Sequence, residues 1–380
     1  MFIDSAGTRS RILIQAVMAL KRDKGRDKTE AKERRRYRSR FRGGVSLSDV
    51  AARAQVSTAS VSRVLNNSGK VNDDIRERVE RASRELGYLP NGAARALAAR
   101  KTKTIGAIVP AIENSGISSS VAAFQRVLRH AGYTLLLTST NYDLQNELRE
   151  AQVLLARGVD GLMFVGGEHH PEVMPLIERY KVPFIETWTL VPGHPSVGLD
   201  NFGAARAIAQ HLIGLRHQRI GIIMGQSEGN DRAALRLKGV RACLAESGLE
   251  NAQEWLIDRP YNISDAKMAT HALLGSRNRP TAIICGNDQI AIGAMIQAVG
   301  EGLTVPRDIS IVGFNDLDLA AHLNPPLTTM RVPFEDIGRI SAELLLRSIN
   351  DKSFVPTPFE VPATLVVRGS TAVAPSLVPA

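Results

Sequence analysis

Two hydrophobic rhythms divide the chain. Between residues 45 and 89 apolar positions recur at helical spacing, whereas from Thr104 onward short apolar runs alternate with longer amphipathic ones. In the first region Ser46, with Asp49 three residues on, predicts a capped helix start. Small Ala51 and Ala54 permit a close helix crossing. Gln55-Val56 forms a turn that buries one valine, and Ser57 caps a second helix. In that helix Val61, Val64 and Leu65 share one side. Ala59, Ser62, Arg63 and Asn66 fall at i, i+3, i+4 and i+7 and share the other. A third helix is predicted after the loop Asn67-Ser68-Gly69-Lys70. Asn72 caps it, Asp73 and Asp74 suit its positive end, Ile75, Val79, Ala82 and Leu86 form its stripe, and Gly87 stops it. Alone, the first two helices would be an ordinary helical hairpin; the third supplies the core of a compact domain.

From Thr104 the apolar runs Ile105–Val109, Thr134–Thr138, Gly161–Val165, Pro183–Glu186, Arg219–Met224, Ala282–Gly286 and Ile309–Phe314 read as strands. Helical patterns over Val121–Ala131, Leu144–Ala156, Ala204–Leu215, Asp231–Ser247 and Asp288–Val299 separate them. Alternation of this kind implies parallel sheets with helices on both faces, and the number of units favours two sheets. A break lies around His194–Asp200, and the chain returns to the first lobe near Val332–Pro333. Ligands of such folds sit beyond the carboxyl ends of strands, here between the lobes. The Ala-rich run after Pro90 makes one or two marginal helical turns, too short to be stable alone.

Composition changes this picture in one respect. The net charge is +10, and its positive excess lies wholly before residue 105. Residues 1–44 hold 14 Lys or Arg against 5 Asp or Glu. Such an end on a neutral-to-acidic body is the footprint of nucleic-acid binding. The small, polar, once-cationic face of the second helix suits a DNA major groove, where Arg reads guanine. The block at 32–42 is expected to stay disordered and to add phosphate contacts; alternatively, translation starts at Met18 or near Val45 and omits some or all of it. No apolar run reaches the length of a membrane helix, and no secretory pattern opens the chain. Cys243 and Cys285 form no close motif, which points to a reducing cytoplasm.

The chain resembles the lactose/galactose repressor family of bacterial transcription regulators from about Val45 to Arg368. Five ordered blocks carry the resemblance: Asp49-Val50-Ala51 with Val56-Ser57 and Val61–Asn66; Gly87–Asn91; Cys285–Asp288 with Ala291-Ile292-Gly293; Pro306–Phe314; and Pro325–Thr329. It implies an all-α helix-turn-helix DNA-binding domain followed by an α/β two-lobed, periplasmic-binding-protein-like (type I) domain. The expected division is a basic extension over 1–44, the DNA-binding domain over 45–89, a hinge helix and linker over 90–104, and an effector-binding and dimerisation domain over 105–370. The expected partners are a second copy, a palindromic operator in double-stranded DNA and a small effector, in the cytoplasm at the nucleoid, with no membrane. No cofactor and no catalytic role are expected.

The resemblance also assigns residues. Thr58, Ala59 and Arg63 stand where the family contacts bases, and Ser57, Ser60, Ser62 and Asn66 complete the DNA-facing set. Leu97 stands where a hinge leucine enters the minor groove, with Asn91 and Ala94 beside it, an apolar wedge that would kink the duplex. Arg236 falls where the family places a ligand-binding arginine, and Arg232 lies one turn earlier on the same side. Glu186, Trp188, Tyr261, Asn287 and Asn315 complete the expected effector set. Two cationic side chains at i and i+4 favour an anionic ligand, and Asn315 removes a like charge where many members carry Asp. Gly198–Arg206, with Arg232 at its spacing, resembles the gluconate-repressor branch, so a sugar acid such as gluconate is the expected effector. Alternatively, one arginine pairs with Glu228 or Asp231. Asn114-Ser115-Gly116-Ile117 departs from the family's frequent Asn-Pro-Phe-Phe.

Two other chemistries compete. Gly225-Gln226-Ser227-Glu228-Gly229 fits the G-x-S-x-G elbow of a serine esterase, with Asp288 or Asp308 and then His322 in hydrolase order. An elbow needs its helix to begin at once, and Gly229-Asn230 predicts a loop first. Glu168-His169-His170 suggests a metal site, but adjacent histidines rarely converge on one ion, and a solvent-exposed loop is expected there. A sugar-binding protein without DNA activity would share the body but not the basic helical end.

Overall fold

A computed structural model describes residues 44–66, 71–89, 92, 101–249, 256–259 and 262–375. The chain forms two compact units, Met1–Ala99 and Arg100–Ala380. The basic extension up to residue 43 and the hinge positions Asn91, Ala94 and Leu97 lie outside the described residues, as does Tyr261.

The first unit holds α1 (Leu47–Ala54), α2 (Thr58–Leu65) and α3 (Asp73–Leu86). Ser46 and Asp49 make a reciprocal capping box: the Asp49 N–H donates to Ser46 Oγ at 3.3 Å, and the Ser46 N–H donates to Asp49 Oδ2 at 2.8 Å. Gln55 turns the chain in the left-handed region (φ 55°), and Val56 N–H returns to Ala51 O. Gly87 (φ 64°) ends α3 in the same way, a conformation that costs glycine little. Val50, Ala51, Ala54, Val61, Val64, Val79 and Ala82 are buried together, drawn from all three helices. Val56, expected to be buried by the turn, packs against this core while remaining half-exposed.

Among the described residues the second unit contains two six-stranded sheets. The first has the order β11-β5-β4-β3-β1-β2, from β1 (Thr104–Val109), β2 (Thr134–Ser139), β3 (Gly161–Val165), β4 (Phe184–Thr187), β5 (Ser196–Gly198) and β11 (Phe359–Glu360). The second has the order β12-β10-β9-β8-β6-β7, from β6 (Ile220–Gly225), β7 (Leu256–Arg259), β8 (Ala282–Cys285), β9 (Ser310–Asn315), β10 (Thr328–Arg331) and β12 (Thr364–Val366). Among the described residues every pairing is parallel except β10 with β12. On the first sheet α4 (Ser115–His130) and α11 (Phe334–Asn350) pack on one face, with α5 (Leu144–Ala156) and α6 (Val173–Tyr180) on the other. On the second, α7 (Asn201–Gly214) and α8 (Asp231–Glu246) lie opposite α9 (Ile263–Leu274) and α10 (Asp288–Gly300). The pleat explains the two-sided burial: in β8, Ala282 and Ile284 face the α7 and α8 side, while Ile283 and Cys285 face α9 and α10.

Three segments cross between the sheets, at 198–201, 331–334 and 360–364. The first two match the predicted break and return. The third joins two strands of two and three residues, too short to show a pattern. Strands β5, β7 and β10 and helices α6, α9 and α11 are likewise additions to the reading from sequence. Helix α4 begins at Ser115 rather than Val121 because Asn114 caps it, its Oδ1 accepting from Gly116 N–H and Ile117 N–H.

Candidate functional site

On the first unit, α2 presents Thr58, Ala59 and Arg63 to solvent, with Asn66 exposed at its end and Ser60 and Ser62 half-buried. Ser57 caps the helix, its Oγ accepting from Ser60 N–H at 3.1 Å, and Asn66 Nδ2 donates to Ser62 Oγ at 3.2 Å. Arg63 is exposed and meets no acidic partner among the described residues, so its fork is open to an external acceptor. Among the described residues the ion pairs of this unit lie elsewhere, at Arg53–Glu85 and along α3 at Arg78–Asp74, Arg81–Glu77 and Arg84–Glu80.

In the second unit a polar cleft opens at the carboxyl ends of both sheets. Asn114, Ile117, Tyr142 and Trp188 line it from the first lobe, and Asn230, Arg232, Arg236, Asn287 and Asn315 from the second. Its free space is about 20 Å³, room for a single water. Of the predicted effector residues, the structure brings together Trp188, Arg232, Arg236, Asn287 and Asn315. Asn114, Tyr142 and Asn230 are additions to that set. Asn114 and Asn230 sit at the carboxyl ends of β1 and β6 as helix caps, the position at which such folds meet ligands.

The two arginines of α8 differ. Arg232 is buried and engaged: Nη1 donates to Asp231 Oδ1 at 2.9 Å and, across the cleft, to Val165 O at 3.0 Å. The Gly167 N–H donates to Asp231 Oδ2, so this ion pair also fastens the lobes. Of the two pairings open from sequence, to Glu228 or to Asp231, this is the second. Arg236, also buried, donates from Nε to Asn201 Oδ1 at 3.1 Å and from Nη1 to Gly286 O at 2.8 Å, and lies 4.1 Å over the Phe314 ring.

Two lining groups carry unmet hydrogen-bonding capacity. Trp188 Nε1 and Asn315 Oδ1 are both buried without a partner among the described residues. Each belongs to a residue with positive φ, 74° and 124°, strain of the kind that accumulates at ligand sites. The Trp188 indole stacks on Phe334 at 5.0 Å. Gly116 makes the stack possible: a Cβ there would stand 2.8 Å from Phe334 and 2.9 Å from Trp188. At this departure from the family's pattern, side chains that follow β4 and open α11 take up the space beside the glycine.

Glu186 does not line this cleft. It is fully buried, and its Oε1 accepts from His169 Nε2 at 3.1 Å and His194 Nδ1 at 2.8 Å. His169 Nδ1 meets Glu147 Oε1 at 2.7 Å. Contrary to the expected solvent-exposed loop, the His169 side chain is buried between two carboxylates. Burial works against its charge, but the hydrogen bonds to Glu147 and Glu186 outweigh that and raise its pKa to about 9. In the second lobe Asp288 is pushed up to about 6 by burial, although its oxygens accept from Thr329 Oγ1 and Leu317 N–H.

After β6 ends at Gly225, Gln226–Gly229 forms a loop before Asn230 caps α8 at Asp231, so Ser227 is not on a strand-to-helix elbow. His322 lies on an exposed 3-10 turn, 4.0 Å from Asp318. Among the described residues no group of three or more metal-ligating side chains is placed to hold an ion.

Residues 46–91 match the bacterial regulatory proteins of the lacI family, and residues 209–371 match a periplasmic binding protein-like domain. The ribose operon repressor of Haemophilus influenzae is 32% identical across 86% of this chain and 98% of its own length. The chain belongs to the lacI family. As a member it is a DNA-binding transcriptional regulator, with the helix-turn-helix unit as output and the two-lobed body as ligand-responsive input. The lac repressor dimer bound to operator and the anti-inducer ONPF is similar with a TM-score of 0.78 and 28% identity, covering 87% of this chain and 99% of that one. Transcription regulator GntR from Chromobacterium violaceum has a TM-score of 0.67 and 28% identity over 70% of this chain and 99% of its own. No described helix is long and apolar enough to cross a membrane.

Proposed function

We propose that this regulator is a non-catalytic, cytoplasmic, homodimeric repressor whose cleft takes a sugar acid such as gluconate. The observation that carries the proposal is the cleft's chemistry. A buried guanidinium at Arg236, the unpartnered donor Trp188 Nε1 and the unpartnered acceptor Asn315 Oδ1 belong to residues around one small space. A carboxylate suits Arg236, and hydroxyls, which both donate and accept, suit the other two. Arg232 supports this reading less than its spacing suggested, because Asp231 already offsets its charge.

On the DNA side, Thr58, Ala59 and Arg63 would read bases in the major groove. Ser57, Ser60, Ser62 and Asn66 would fix the helix on the backbone. Two copies would place two such helices on a palindromic operator. Asn91, Ala94 and Leu97 would form the hinge that orders on DNA and couples the units.

Calorimetry with gluconate, glucose and a purine tests the effector. Saturable binding of gluconate alone is expected; binding of only the neutral sugar or the purine overturns the sugar-acid assignment.

A further inference from the structure

We propose a second ligand site, on the first lobe and outside the interlobe cleft, that takes a small amphipathic carboxylate. A cavity of about 1060 Å³ opens between α6, the start of β4, the 193–195 loop and the end of α11. That is the scale of drug-sized ligand sites, about 300–1000 Å³. Its walls are apolar: Ile177, Phe184, Ile349, Phe354 and Val355 line it, and Val355 is 73% exposed to solvent. The Arg347 guanidinium lies 3.8 Å over the Phe354 ring and holds it in place.

The polar lining is mixed, with three exposed lysines against two acids. Lys101, Lys181 and Lys352 border the cavity. Lys101 Nζ reaches Asn350 Oδ1 at 3.3 Å, and neither Lys181 nor Lys352 has an acidic partner among the described residues. Of the two acids that border it, Asp160 is committed to the chain: its carboxylate accepts from the Thr102 and Lys103 N–H groups at 3.0 and 2.8 Å. Glu178 is the other and lies exposed.

His194 borders the same cavity. Its Nδ1 donates to Glu186, its ring meets Phe184 edge-on at 5.8 Å, and its Nε2 has no partner among the described residues. A neutral apolar guest would forgo the attraction of the exposed lysines, and a polyol would leave the aromatic walls unmatched. An anionic head on an apolar body satisfies both. His194 also connects the site inward. Glu186 joins it to His169, two residues beyond Gly167, and the Gly167 N–H is held by Asp231 at the interlobe contact.

Titration calorimetry of the full chain with octanoate, and separately with 1-octanol, tests the site. Octanoate is expected to bind with one site per chain and 1-octanol about tenfold more weakly or not at all. Lys181→Ala/Lys352→Ala is expected to weaken octanoate about tenfold, and Val355→Asp, which sets a carboxylate in an exposed wall, to abolish it. Absence of octanoate binding at millimolar concentration, equal binding of 1-octanol, or unchanged binding to Val355→Asp each overturns the proposal.

Discussion

The outer face of α2 and the interlobe cleft handle polarity in opposite ways. On α2 the groups proposed to meet DNA are mostly exposed and few; Arg63 stands in solvent, and the buried side of the helix is apolar. In the cleft the polar groups are buried, and several are already bonded to one another or across the lobes. An exposed reader is easily held ready, because water solvates it until DNA replaces water. A buried one must be satisfied by its neighbours, which leaves few groups unmet. The same contrast separates mutational outcomes: changes on α2 should alter recognition and spare the fold, whereas changes around the cleft should alter both.

The largest effect is expected at Arg236. Arg236→Ala removes a buried charge and leaves Asn201 Oδ1 and Gly286 O without that donor, and should cost about 4 kcal/mol of effector binding. Calorimetry with gluconate reads this as loss of measurable heat. Retained affinity would mean that the cleft does not use its buried cation.

His169→Gln is expected to destabilise the second unit by about 3 kcal/mol at pH 7, since it leaves Glu147 and Glu186 buried without their shared cation. The sign of its pH dependence follows from the raised pKa. The stabilisation is complete below about 6.5, the ordinary histidine value, and is lost as pH rises through about 9. Denaturant melts at pH 6.5 and 9.5 should show the gap between wild type and variant narrowing at the higher pH. A constant gap would place the effect in packing rather than charge.

Arg63→Ala should cost about 2 kcal/mol of operator discrimination, measured as the ratio of specific to random DNA affinity, with the melting temperature unchanged. An equal loss on both DNAs would make Arg63 a phosphate contact instead. Ser46→Ala, which removes half of the capping box, should destabilise the DNA-binding unit by about 1 kcal/mol in thermal melts.

How much of the molecule is legible in its sequence varies with the kind of signal. The α2 face is readable because its periodicity, caps and turn are local, and Ser46, Ser57, Asn72 and Gly87 each act within four residues. Strands β1, β3 and β9 are readable as apolar runs, and five cleft residues through resemblance. Strands β11 and β12 are not, because two- and three-residue strands exist only through their neighbours. Glu186 reads as a ligand residue because it ends an apolar strand. Its partners, His169 and His194, come from separate loops, and nothing in their spacing announces a buried charge network. Gly116 reads only as a departure from pattern; the Trp188–Phe334 stack shows what takes up the space.

Operator binding measured at low salt, with and without gluconate, tests the central claim most directly. Specific binding to a palindromic site is predicted, with an affinity that gluconate shifts by about tenfold or more while glucose leaves it unchanged. A protein that binds no DNA at low salt with or without ligand, or whose operator affinity no sugar acid alters, would contradict that claim.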